Sequence, residues 1–102
     1  MLFHVTMTHS VDECPGYNRE KIPEFVSASE KMDEMAKQFN IKVHFMVNGL
    51  PEHVVFALLE ADSPLTLAPF LASVPLKQDF KVTPVVHEHE VIELAKSMMG
   101  QG

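Results

Sequence analysis

The chain has 102 residues, enough to bury one hydrophobic core and too few for two, so a single domain spanning 1–102 is expected. Its 46% apolar and 22% charged residues are a globular composition. Asp and Glu outnumber Lys and Arg by 14 to 8, and the resulting net charge of −6, with no basic cluster, makes nucleic acid an unexpected partner. The apolar run Leu2 to Met7 is short, is interrupted by His4 and follows no basic segment, so neither a leader nor a membrane span is expected. One cysteine, Cys14, forms no internal disulfide and agrees with a reducing, cytoplasmic compartment.

Phe3, Val5 and Met7 alternate with His4, Thr6 and Thr8, which predicts a half-buried first strand. Ser10 to Tyr17 carries Asp12, Pro15 and Gly16 and reads as a loop. Ile22, Phe25, Val26, Met32, Met35, Ala36 and Phe39 recur at helical spacing, predicting one long helix to about Phe39 with Asn40 as its C-cap. Ile41 to Val47 alternates as a second strand, Asn48-Gly49 supplies a tight turn, and His53 to Glu60 returns as a strand apolar on both faces, hence central.

Ser63-Pro64 reads as an N-cap and first-turn proline opening a second helix, which Pro69 should keep short, kink or delay to a start beyond Ser63. Phe80, Val82 and Pro84 mark a fourth strand at a sheet edge, because proline cannot donate to a ladder. Residues 87–99 predict a closing helix, with order expected to end around Gly100 to Gly102.

The order β-α-β-β-α-β predicts an α+β, ferredoxin-like domain: a four-stranded antiparallel sheet with the first and third strands central and helices on one face. Simple alternation puts Phe3, Val5, Met7, Ile41, Val43, Phe45 and Val47 on the helix side. The opposite face then carries His4, Thr6, Thr8, His44, Met46, Lys81, Thr83 and Val85, too apolar to stand wholly in water. A second copy is the expected cover.

In element order, length and the closing strand Phe80-Lys81-Val82-Thr83-Pro84-Val85-Val86, the chain resembles the dimeric α/β barrel superfamily. That superfamily includes antibiotic-biosynthesis-type monooxygenases, muconolactone isomerases and haem-degrading enzymes. The resemblance implies a homodimer with two sheets face to face. It also implies a pocket for a small apolar or aromatic compound, acted on by cofactor-independent monooxygenation or isomerisation. The chain has no tryptophan, so the Asn, Trp and His set of the oxygenases is incomplete here.

Three constellations carry chemistry. His9, Cys14 and Tyr17 cluster in the first loop, with His53 arriving from the hairpin. His9 is the candidate general base, Tyr17 and Cys14 are its catalytic companions, and His9, Cys14 and His53 form a metal-ligand set. The blander reading is that Cys14 and Pro15 fill a corner where loop meets sheet. His4, His44 and Met46 form a second set suited to copper or haem iron, although His4 and His44 should lie two strand spacings apart, about 10 Å. His87 and His89, two residues apart, form a third, weaker one.

A ligand pocket between sheet and helices is expected to be lined by Met7, Phe25, Phe45, Phe56 and Phe70. The four isolated glycines make no phosphate loop, so a nucleotide cofactor is not expected; the readings are no cofactor, a transition metal or haem. Three functions stand side by side: a small-molecule-binding barrel, a metal- or haem-binding protein, and a non-catalytic assembly or regulatory module.

Overall fold

The computed structural model describes residues 1–100; Gln101 and Gly102 lie outside the described residues. Strand β1 (Leu2–Thr8) leads through three successive 3-10 turns, Val11–Glu13, Pro15–Tyr17 and Arg19–Lys21, into helices α1 (Ile22–Glu30) and α2 (Met32–Gln38). Then come β2 (Lys42–Gly49), β3 (Val54–Glu60), α3 (Pro64–Ala72), β4 (Asp79–Val85) and α4 (Glu88–Gly100). The sheet is antiparallel in the order β2-β3-β1-β4, with the first and third strands central as expected.

The predicted long helix is two helices that meet at Lys31. Ser27 and Ser29 approach that junction, and serine is a weak helix former because its hydroxyl competes for backbone groups. The bend separates two roles. In α2 and its C-cap, Met32, Met35, Ala36 and Phe39 recur at helical spacing and pack on the core, whereas α1 has no buried residue. Asn40 does adopt the left-handed conformation of a helix end, with φ 55°.

Helix α3 starts where Ser63 predicts, with its hydroxyl accepting a hydrogen bond from the Thr66 amide at 3.3 Å. Its Leu67, Phe70 and Leu71 complete the core, and Phe70 meets Phe39 edge to face at 6.5 Å.

The core is the helix side of the sheet. Phe3, Val5, Ala57 and Leu59 are fully buried there, with Met7 beside them. Alternation misplaces part of β2, and the reason is a bulge. Val43 pairs with Leu59, but Phe45 pairs with Leu58, so His44 is an extra residue between them. From Phe45 onward the faces are exchanged: Met46 packs on the core, while Phe45 and Val47 stand on the open face, 42% and 52% exposed.

The hairpin also differs from expectation. Strand β2 runs through Gly49, which does not have positive φ; the turn is Leu50–His53, and the residue with positive φ is His53, at 58°. Gly49 is needed for another reason: a Cβ there would lie 2.7 Å from Val54 Cγ1.

Helix α4 occupies the predicted segment but closes nothing. Every residue from Glu88 to Gly100 is exposed, and the molecule measures 62 × 29 × 18 Å. The helix is an arm, with an apolar stripe of Val91, Leu94, Ala95 and Met98. Beside it, Phe80 and Val82 on the helix side of β4 also lack cover, at 40% and 38% exposure.

Candidate functional site

The β1–β3 ladder ends at Thr8 opposite Val54, so the next residues outward, His9 and His53, face one another. The His9 amide donates to the His53 carbonyl at 3.3 Å and extends the ladder by one step. The two rings meet edge to face, centroids 5.2 Å apart.

The first loop folds over this pair because its 3-10 turns are pinned from within. The Asn18 side-chain amide donates to the Asp12 and Cys14 carbonyls, at 2.6 and 3.0 Å. Lys21 Nζ holds a Glu13 carboxylate oxygen at 3.0 Å. The Tyr17 amide bonds the Cys14 carbonyl at 3.0 Å, which closes the turn at Cys14.

The outcome is a cluster in which His9, Cys14 and His53 each offer a ligand atom, all within 4.8 Å of one another. Tyr17 stands at its rim, ring 5.9 Å from His53 and 69% exposed. Both ring nitrogens of His9 are closed off from solvent and have no hydrogen-bond partner. Burial first, and His53 second, pull the His9 pKa below its ordinary 6.5, so the ring is neutral at pH 7 with a free lone pair. A neutral imidazole beside a thiol and a second imidazole can accept a proton or ligate a metal.

The other expected sets do not assemble. Met7 and Phe70 are each 3% exposed in the core, whereas Phe45 and Phe56 lie on the opposite face of the sheet. Phe25 is half-buried on α1. These five therefore cannot line one cavity between sheet and helices. His4, His44 and Met46 are parted likewise: the bulge turns Met46 to the core, and His44 Nε2 is engaged by a Glu60 carboxylate oxygen at 3.1 Å. His4 stays on the open face with its ring 6.2 Å from Phe56. His87 and His89 stack at 5.4 Å at the start of the arm.

The open face was expected, with His4, Thr6 and Thr8 on it; what sequence reasoning missed is its phenylalanines. Phe45, Val47, Phe56 and Leu58 share it with His4 and Thr6, fringed by Thr8, Lys81, Thr83 and the His44–Glu60 pair. The two-sided apolar pattern of β3 pointed to Phe56; nothing in the alternation of β2 pointed to Phe45. A groove of about 630 Å³ lies at the far end of the sheet from His9, among Met1, Leu2, Pro84, Val85 and His87, in the crook where α4 departs.

Residues 1–99 match the family model described as "Domain of unknown function (DUF3303)". The chain belongs to this family. No curated protein matches the DUF3303 chain. Among solved structures, it is similar to the crystal structure of muconolactone isomerase at 3.3 Å resolution, with a TM-score of 0.58 and 19% identity over 86% of this chain and 91% of that one. What the chain shares with that enzyme at this identity is the fold alone, the expected α+β domain with a four-stranded antiparallel sheet. Among the described residues no helix is long and apolar enough to cross a membrane.

Proposed function

We propose that this DUF3303 protein works as a homodimer whose two open sheet faces pack together and enclose a site for a small apolar or aromatic molecule. The observation that carries this reading is the exposure of Phe45, Val47 and Phe56 side by side on one sheet face. Four strands about 4.8 Å apart and seven residues of about 3.3 Å give a face of roughly 19 by 23 Å. That is roughly 440 Å² in all, with Phe45, Val47, Phe56 and Leu58 grouped on it among polar neighbours, and an exposed apolar group of this kind marks an interaction surface. Stable specific dimers bury about 800 Å² per partner, and this face supplies roughly half of that.

Two pairs of phenylalanines meeting across a two-fold axis leave an apolar space, and His4 and Thr6 are the polar groups able to orient a guest in it. Isomerisation is the reaction class to test first, since the fold is shared with muconolactone isomerase; small lactones and aromatic compounds are the starting panel.

The test is light scattering at micromolar concentration with an apolar fluorescent probe added. A dimer whose bound probe is displaced by members of the panel supports the reading, and Phe56→Asp should separate the subunits while preserving the circular dichroism of each. A monomeric wild-type chain would remove the proposal.

A further inference from the structure

We infer that His9, Cys14 and His53 form a binding site for a single zinc-class transition-metal ion, built within one chain and independent of the dimer proposed above. The donor set is the first ground. Two imidazoles and one thiolate are ligands that a borderline-soft ion such as Zn²⁺ takes up, and their candidate atoms already lie within 4.8 Å of one another.

Geometry sets how far they must move. With Zn–N near 2.05 Å and Zn–S near 2.3 Å, tetrahedral angles put the ligand atoms about 3.4 to 3.6 Å apart. The cluster must contract by up to about 1.4 Å, a distance that rotation about side-chain bonds can supply.

The second ground is independent of the spacing. Both nitrogens of His9 are buried without a partner, and a buried polar atom left unpaired is destabilising. Coordination supplies a partner to one of them, and a water entering with the ion can serve the other. The ligands' attachment is a third point. His9 and His53 sit on adjacent ends of the two central strands, joined by a backbone hydrogen bond, and Cys14 is fixed by the Asn18 clamp on its carbonyl. The site is thus largely pre-organised, which lowers the cost of assembling it.

The Cys14 thiol loses its proton to solvent as the metal–sulfur bond forms, and the imidazoles bind through lone pairs. Three protein ligands leave a fourth position to water, the pattern of sites that keep an open coordination position. The stacked His87 and His89 are the rival site: two exposed imidazoles with no third ligand among the described residues.

The experiment uses the full chain without an affinity tag, thiol reduced and stripped with a chelator, then titrated with Co²⁺ while the absorption spectrum is recorded. One equivalent per chain with a thiolate-to-cobalt charge-transfer band, bleached by Zn²⁺, is expected. Cys14→Ser should abolish the band, and His53→Gln and His9→Gln should each weaken affinity about tenfold or more. His87→Ala with His89→Ala should leave the titration unchanged. If His9→Gln proves unfolded by circular dichroism, the other two ligand variants decide. A wild-type spectrum without the charge-transfer band, or loss of binding in the His87/His89 variant but not in Cys14→Ser, overturns the site.

Discussion

Glu13 and Lys21 tie the first loop to the start of α1, and the hydrogen bond from Lys21 is the main reason the Glu13 carboxyl is held below its ordinary 4.5. A carboxyl whose folded pKa is depressed contributes stability that is present above 4.5 and is lost as pH falls through the lowered folded value. Glu13→Gln should therefore speed amide exchange in residues 11–18 at pH 7 and match wild type once pH is well below 4.5. At Gly49, alanine would bring its methyl 2.7 Å from Val54 Cγ1 on a β-branched side chain with little room to turn. Overpacking of this kind costs about 1–3 kcal/mol, which urea denaturation of Gly49→Ala would read.

The bulge at His44 decides which side of β2 is core, and it can be tested by two substitutions with opposite outcomes. Met46→Lys puts a charge on the core side and should destabilise the fold by about 2 kcal/mol or more. Phe45→Lys should leave the fold of each subunit intact, because Phe45 stands on the open face. An unbulged β2 would reverse the two denaturation curves. Ser63→Ala should cost about 1 kcal/mol by removing the N-cap of α3.

At this scale the sequence was legible wherever a local rule governs. Alternation located β1, Ser63-Pro64 located the start of α3, and Pro84 located the edge strand. It failed where one residue of register matters. A bulge inserts one residue and exchanges every face beyond it, and Lys42 to Val47 alternates in sequence whether or not the bulge is there. The same slip is why Phe45 was assigned to a pocket with Met7, and Met46 to a ligand set with His4. The meeting of His9 and His53 was legible because antiparallel neighbours bring the end of β1 beside the start of β3, while Cys14 joins them through the 3-10 turns and Asn18 clamp of the first loop.

Among the described residues three apolar surfaces lack cover: the open sheet face, Phe80 and Val82 on the other side of β4, and the stripe along α4. Nothing in the helical periodicity of residues 88–100 tells whether that stripe folds back or reaches outward, since periodicity defines a face and not its partner. If the stripe is part of the subunit contact, a chain ending at Val86 should associate more weakly while keeping the core melting transition of the sheet and α1 to α3.

The central claim is that the functional unit is two copies joined through the open faces. The most direct measurement is light scattering on the full chain over a micromolar range, wild type beside Phe45→Lys and Phe56→Asp. Twice the mass of one chain for wild type, falling to one chain mass in both folded variants, is expected. A wild-type mass of one chain throughout, or a dimer unchanged by both substitutions, would contradict it.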